Sequence, residues 1–219
     1  TDLLFDYSCG EVSGVASLPV LWADANTVYA TDRLGNELIP DQKAVASPYG
    51  GFLQDYRDTD SAVLTLLLAE GMQHFTLSPQ AQAVRIVAIY VVPVRDAVSY
   101  QDYLRMHEDA PRYDEMLSFE AEHYNVKSDS FIRATSKKNA ALAPYDTYHK
   151  LLNVLDESSW NSAGQKILWE FTVPQDGLYT IGVRYLQNTD TDKPVYRRVE
   201  IDGAVPFAEW NALAFMGTK

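Results

Sequence analysis

The chain has 219 residues, enough for one large domain or two small ones with a sizeable hydrophobic core. Thirty acidic residues against 18 basic ones give a formal net charge of −12, which repels phosphate backbones and argues against a nucleic-acid partner. The longest apolar run, residues 86–94, is too short to span a bilayer, and Cys9 has no second cysteine to pair with. We therefore expect a globular, β-rich chain without membrane insertion, with any export signal or anchor lying outside it.

The first half of the chain predicts short β-strands separated by turns and one loop. Apolar stretches bounded by Gly, Pro, Asn and Asp predict strands at residues 18–22, 26–30, 62–68, 73–77 and 83–94. The last of these, AVRIVAIYVVPV, is the most β-branched stretch, and we expect a central strand covered on both faces. Residues 32–36 (DRLGN) predict a turn, and residues 41–60, rich in Gly, Pro, Asp and Tyr, predict an aromatic loop.

Residues 96–116 change character and mark the one internal boundary. Charge density rises, and apolar residues recur near helical spacing after Ser99, a residue type that favours helix N-termini. Pro111 cannot continue such a helix. We therefore expect a short helix and a linker at 96–116, between a first segment, 1–95, and a second segment, 117–219.

The second segment is organised around residues 168–185, LWEFTVPQDGLYTIGVRY. Apolar and polar residues alternate on either side of Pro174 and Gly177, which predicts two half-buried antiparallel strands joined by a tight turn. Asp202-Gly203 is a favoured tight-turn pair. The other elements that we expect in this segment are strands at 117–124 and 195–201, a helix at 145–155 and one helical turn at 206–212.

Several motifs of the second segment resemble a known family. They are WxxAGQxIxWxFxVPxxGLY at 160–179, RYxQN at 184–188 and YRRxxIDG at 196–203, preceded by FEAEHY at 119–124. Together they resemble carbohydrate-binding modules with the galactose-binding-like jelly-roll fold, most closely those attached to large bacterial extracellular solute-binding proteins. The resemblance implies an all-β fold, a two-sheet β-sandwich with one or two short helices in its connections.

The family features stand in a permuted order. Residues 22–40 also resemble these modules, but they correspond to the second half of a module, whereas 119–210 correspond to the first half. The chain is then either the end of one module followed by the start of the next, or a circularly permuted single module. Because half a sandwich would expose sheet edges and an apolar face, we expect both segments to close into one sandwich over residues 1–219.

Sugar recognition by such a sandwich needs flat aromatic rings that stack on a pyranose, with planar polar side chains beside them. Rings in expected loops, with polar neighbours, are therefore the candidate ligand-binding residues. The six that we select are Trp160, Asn188, Tyr196, Arg184, Trp210 and Tyr56, with Tyr49, Tyr145, Tyr148, Gln187 and Asp192 as further members of the same pool.

The resemblance also implies a structural calcium ion held by carboxylates of the first strand. Glu120 and Glu122 lie two residues apart and would share one strand face, and Ca²⁺ prefers six to eight oxygen ligands. The family completes the cage with an acidic residue on the last strand, where this chain carries Arg85. Solvated surface acids are the alternative, and we expect no other cofactor.

Signals for catalysis are weak. Carboxylates cluster at Asp55, Asp58 and Asp60, and again at Glu108, Asp109, Asp114 and Glu115. Pairs of carboxylates can cleave glycosides. Charge runs in loops usually face solvent, and the four histidines show no metal-binding or nucleophile spacing.

The favoured interpretation is a non-catalytic, extracellular β-sandwich that binds an oligo- or polysaccharide, accessory to bacterial sugar uptake or polysaccharide handling within a larger protein. The alternative is a structural or protein-interaction sandwich without sugar affinity, which spaces or docks a neighbouring domain. An enzyme of glycan breakdown ranks third.

Overall fold

The structure is a computed structural model that describes residues 2–46, 50–57, 63–81, 83–113, 115–188 and 192–217. Strands take up 23% of the described residues and helices 6%, in an all-β arrangement of antiparallel sheets that forms a two-sheet sandwich. The predicted fold class is thereby confirmed. Among the helices of the described residues, none combines the length and the apolar composition needed to cross a bilayer.

Two compact units make up the chain. Unit 1 comprises Thr1–Ile89 and Leu117–Phe171, and unit 2 comprises Tyr90–Met116 and Thr172–Lys219. Both four-stranded sheets lie in unit 1, which thus takes strands from both sides of the predicted linker. The expectation of one sandwich spanning 1–219 stays a prediction.

The first sheet of unit 1 has the strand order β5-β2-β1-β6. Its strands are β1 (Leu3–Cys9), β2 (Val12–Leu18), β5 (Gln54–Asp55) and β6 (Phe75–Pro79). Alternation along β1 buries Phe5, Tyr7 and Cys9 on one face and leaves the carboxylate of Asp6 exposed. Gly10, with φ 57°, starts the two-residue connection to β2, where a side chain would be strained.

The second sheet has the order β4-β3-β7-β8 and joins the two sequence segments. Its strands are β3 (Trp22–Asp24), β4 (Gln42–Ala44), β7 (Val126–Lys127) and β8 (Ile167–Leu168). Trp22 of β3 pairs with Lys127 of β7, so a strand from before residues 96–116 is bonded to one from after them.

A buried charge network ties β3 to β7. Lys127 is 1% exposed, and its Nζ donates to Tyr124 Oη at 2.8 Å, to Asp24 Oδ1 at 3.2 Å and to the carbonyl oxygen of Ile132. Asp24 Oδ1 also accepts from Tyr124 Oη at 2.9 Å and from Gln42 Nε2 at 2.8 Å. Burial lowers the pKa of Lys127, and the Asp24 carboxylate opposes that shift. Lys127 is therefore a buried cation whose main counter-charge is Asp24.

Unit 2 is held together by a small aromatic cluster. Its elements are α1 (Tyr100–Met106), β9 (Val195–Arg197), a 3₁₀ helix (Ala208–Ala212) and β10 (Leu213–Phe215), which pairs with β9. The ring of Phe207, which is buried, lies 4.7 Å from that of Tyr100, 5.5 Å from that of Tyr103 and 4.8 Å from that of Trp210. These contacts join α1 to the 3₁₀ helix.

Several local predictions are confirmed. Ser99 caps α1 by accepting a hydrogen bond from the amide of Asp102, and the strand predicted at 73–77 is present as β6. The strand at 195–201 is present in its first three residues, β9, and Asp202-Gly203 makes the predicted turn with both residues at positive φ. The turn at 32–36 and the helical turn at 206–212 are also present.

The central strand predicted at 83–94 is wrong. This segment is not a strand, and it pairs with no strand in the described parts of the chain. Its exposed apolar residues are Ile86, Val87, Ile89, Tyr90, Val91, Val92 and Val94. A β-branched run favours extended backbone, but a strand also needs a neighbour that exchanges hydrogen bonds with it.

The hairpin predicted at 168–185 is also largely absent. Only Leu168 belongs to a strand, β8, and the bend at 174–177 is followed by a single bridge from Leu178 to Arg112. A Cβ on Gly177 would lie 2.8 Å from the carbonyl oxygen of Pro111, so glycine is required by a close approach rather than by a hairpin.

Three further predicted strands, at 26–30, 117–124 and 62–68, are not formed, although residues 61–62 lie outside the described residues. The helix predicted at 145–155 is absent as well. There, Asp146 Oδ1 accepts hydrogen bonds from the amides of Tyr148 and His149, each at 2.7 Å, as an N-cap residue would, but no helix follows. The hydrogen bonds from His149 and Tyr148 lower the pKa of Asp146 to about 2.

Candidate functional site

An open groove of about 330 Å³ lies on unit 1. Its lining residues are Ile39, Phe131, Arg133, Ala134, Thr135, Ser158 and Ser159. The groove thus combines an aromatic ring, one cationic side chain and hydroxyl groups.

The segment 131–135 supplies most of the groove lining. Ile132 and Ala134 are buried, whereas Phe131 is 60% exposed and Arg133 is also exposed. Phe131 lies in a turn closed by the hydrogen bond from the amide of Ile132 to the carbonyl oxygen of Asp129, and Thr135 forms an isolated bridge with Val154. The buried side chains of Ile132 and Ala134 anchor the segment, and Phe131, Arg133 and Thr135 line the groove.

Hydrogen bonds fix both ends of this segment. At its start, Asp129 Oδ1 accepts from the amide of Phe131 at 2.8 Å. At its end, the amide of Thr135 donates to the carbonyl oxygen of Val154 at 2.9 Å, and the amide of Asn153 donates to Thr135 at 3.0 Å. Because the backbone is hydrogen-bonded at both ends, the side chains of Phe131, Arg133 and Thr135 are held in place before any ligand arrives.

The opposite wall is built by Ser158 and Ser159. The hydroxyl of Ser159 donates to the carbonyl oxygen of Arg133 at 3.0 Å and accepts from its amide at 3.1 Å. The amide and hydroxyl of Ser158 both donate to Asp156 Oδ1. Burial raises the pKa of Asp156, but hydrogen bonds from Lys137 and Ser158 outweigh it, so the net pKa is lowered and the carboxylate stays ionised.

The hydroxyl groups of the groove wall are held in fixed hydrogen bonds. The hydroxyl of Ser158 donates to Asp156, and that of Ser159 donates to the carbonyl oxygen of Arg133. Within the described residues, no group of three or more His, Cys, Asp or Glu side chains is placed to hold a metal ion.

Two of the six selected candidates lie in unit 1. Trp160 directly follows Ser159 of the groove wall and is half-buried, with Nε1 donating to the carbonyl oxygen of Gln165 at 3.4 Å. Tyr56 is exposed just after β5, away from the groove lining. Of the wider pool, Tyr148 is also exposed in unit 1, and Tyr49 lies outside the described residues.

The other four selected candidates lie in unit 2. Arg184, Asn188 and Tyr196 are exposed, Tyr196 on β9. Trp210 is half-buried against Phe207, and this contact gives it a packing role. The prediction of these six as ligand contacts stays a prediction.

The geometry predicted for a calcium pair at Glu120 and Glu122 is wrong, because residues 117–124 are not a strand. Glu120 is exposed, whereas Glu122 is 2% exposed, and its Oε1 has no hydrogen-bond partner. Burial raises the pKa of Glu122, and the charge of Glu120 adds to the effect. The two carboxyl groups thus occupy different environments.

The acidic clusters do not form a described pair of catalytic carboxylates. Asp55 accepts a hydrogen bond from the amide of Arg57, and Glu115 accepts one from the hydroxyl of Tyr113. Asp58, Asp60 and Asp114 lie outside the described residues.

Sequence reasoning missed Phe131 and Arg133, which dominate the groove. They fall between the motifs at 119–124 and 160–179, before the helix predicted at 145–155, where no element is predicted from the sequence. The available signal was the short alternation of apolar and polar residues at 132–135, IRAT.

Comparison with known protein families, curated proteins and solved structures gives no significant match to this chain. The resemblance to carbohydrate-binding modules therefore remains one of sequence motifs.

Proposed function

We propose that this chain is a non-catalytic carbohydrate-binding β-sandwich and that the groove beside Phe131 is its sugar site. The observation that carries the proposal is the exposed ring of Phe131, which lines the same groove as Arg133 and Thr135. A pyranose presents an apolar face that stacks on such a ring, and its hydroxyls take planar or hydroxyl partners beside it.

The shape and size of the groove support the same proposal. An open groove of about 330 Å³ is at the small end of ligand pockets and has room for a short stretch of saccharide. Such a site suits one or two sugar units within a longer chain. An extracellular setting and a role in bacterial sugar uptake or polysaccharide handling rest on the motif resemblance alone and belong to the proposal.

Glycan-array screening followed by titration calorimetry tests the proposal. The wild-type chain should bind at least one oligosaccharide, and Phe131→Ala should weaken binding by about tenfold or more, equivalent to about 1.4 kcal/mol of lost stacking. Phe52→Ala is the matched control, because Phe52 is 51% exposed and lies outside the groove lining. Equal losses in both variants, or no binding to any glycan, would reject the proposal.

A second candidate is a protein-interaction sandwich that docks a neighbouring domain and has no sugar affinity. The exposed apolar side chains of Tyr90, Val91, Val92 and Val94 in unit 2 favour it, since such a group is unusual on a surface that contacts only water. It predicts no affinity for any glycan on the array, and sugar binding that depends on Phe131 would argue against it.

A further inference from the structure

We infer that the groove selects a sugar that carries a carboxylate, that is, a uronate residue, and that Arg133 is the residue that recognises it. This inference rests on the proposed function and names the ligand class for that same groove. It is carried by the position of one guanidinium group and by the charges around it.

Arg133 is the only charged residue in the lining of the groove. Its Nε donates to the carbonyl oxygen of Ser130 at 3.4 Å, which orients the guanidinium group. Among the described residues, no hydrogen bond or ion pair engages its terminal nitrogens. A guanidinium with two free N–H groups matches a carboxylate through two parallel hydrogen bonds.

The acidic side chains nearest in sequence are already occupied. Asp156 Oδ2 pairs with Lys137 at 2.8 Å, and Glu157 is 4.0 Å from the same ammonium group. Asp129 accepts hydrogen bonds from the amide of Phe131 and from Gln165 Nε2. Since these carboxylates have their own partners, Arg133 stays available to an external anion.

The net charge of −12 opposes an anionic ligand at long range. Recognition of a carboxylate must therefore come from the short-range contact with Arg133 in the groove, where salt screens the more distant charges. A neutral sugar would gain little from the charge of Arg133, whereas a uronate would exchange its hydration for a charge-assisted contact.

One groove brings the three recognition groups together, since Phe131, Arg133 and Thr135 all line it. A pyranose ring stacked on Phe131 would place its ring carboxylate in the groove that Arg133 also lines, with the hydroxyl of Thr135 as a further polar partner.

Paired ligands test the inference directly. Oligogalacturonate, oligoglucuronate and alginate fragments are compared with the same oligosaccharides after reduction of their carboxylates to alcohols, which keeps the rings and removes the charge. We expect the wild-type chain to bind a uronate ligand roughly 10- to 100-fold more tightly than its reduced form, the range of a hydrogen bond to a charged group.

Variants then assign the preference to Arg133. Arg133→Gln should abolish the difference between charged and reduced ligands, and Arg133→Lys should restore only part of it, because a lysine keeps the charge without the planar fork. Arg33→Gln is the matched control at an exposed arginine outside the groove lining. Thermal melting of each variant confirms that it is folded.

The outcomes separate this inference from the function on which it rests. Equal affinity for charged and reduced ligands, with loss in Phe131→Ala, would overturn the uronate preference and leave sugar binding intact. Preference for a sulfated over a carboxylated oligosaccharide would also overturn it. Absence of binding to every ligand would overturn the proposed function itself.

Discussion

Asp24→Asn is the substitution that probes the buried charge network between the two sequence segments. Asparagine keeps the shape of the side chain and its Oδ1 acceptor, so the hydrogen bonds from Tyr124 and Gln42 can persist. What disappears is the negative charge that faces Lys127 at 3.2 Å. The variant therefore leaves a cation buried without its counter-charge.

The expected cost is about 3–5 kcal/mol in the free energy of unfolding near pH 7, the usual range for a buried pair that loses one partner. At about 2–4 °C per kcal/mol for a chain of this size, the midpoint of unfolding falls by about 6–20 °C. The second variant, Asp24→Asn with Lys127→Met, removes the orphaned charge and should be more stable than Asp24→Asn alone. A gain in stability on adding Lys127→Met to Asp24→Asn would show that the unpaired buried charge causes the loss.

The pH dependence of the free energy of unfolding gives an independent check on the direction of the Lys127 contribution. Burial lowers the pKa of Lys127 below the ordinary lysine value of 10.5, so the unfolded chain binds more protons than the folded chain between the two pKa values. Stability linked to Lys127 therefore rises with pH in that window. Asp24→Asn lowers the pKa of Lys127 further. The difference in the free energy of unfolding between the wild type and the variant should therefore shrink as the pH approaches 10.5.

Urea and thermal unfolding, followed by tryptophan fluorescence and circular dichroism, measure these quantities. Asp41→Asn, at an exposed aspartate of unit 1, is the matched control and should change stability by less than about 0.5 kcal/mol. The reasoning fails if Asp24→Asn is as stable as the control variant, or if adding Lys127→Met lowers stability further.

Three further variants test other parts of the structure. Glu122→Gln should raise the midpoint of thermal unfolding near neutral pH. Burial raises the pKa of Glu122 above 4.5, so its ionisation as the pH rises removes stability from the wild type. Equal profiles of stability against pH for the variant and the wild type would contradict this. Asn153→Ala should lower the free energy of unfolding in urea by about 2–4 kcal/mol. The buried amide of Asn153 accepts from the backbone amide of Lys137 and donates to the carbonyl oxygens of Lys137 and Pro144. A loss below about 0.5 kcal/mol would contradict this prediction. Phe207→Ala should cost unit 2 about 3–5 kcal/mol by emptying its aromatic cluster, seen as loss of near-ultraviolet dichroism, and an unchanged spectrum would contradict it.

Local features of the fold were predictable from sequence because their causes lie within a few residues. Ser99 caps α1 through its own side chain, and Asp202-Gly203 turns through its own backbone conformation. The strand predicted at 73–77 formed as β6 because β1 lies beside it as a partner. In each case the interaction that decides the structure is either local or satisfied by a neighbouring strand.

Longer-range features were not predictable in the same way. Residues 83–94 have strong β propensity, yet no strand in the described residues pairs with them. At 145–155 helical spacing was present, and Asp146 accepts from the two amides that an N-cap residue would engage, yet no helix follows. The groove was not predicted because Phe131 and Arg133 are far from Ser158 in sequence and come close to it only in the folded chain.

Mapping a bound oligosaccharide by amide chemical-shift changes tests the central claim most directly. With the tightest ligand from the glycan array, the account predicts that the shifts concentrate at residues 131–135 and 158–159 and vanish in Phe131→Ala. Shifts centred instead on Tyr196 and Asn188 of unit 2, or a spectrum unchanged by every glycan, would contradict it.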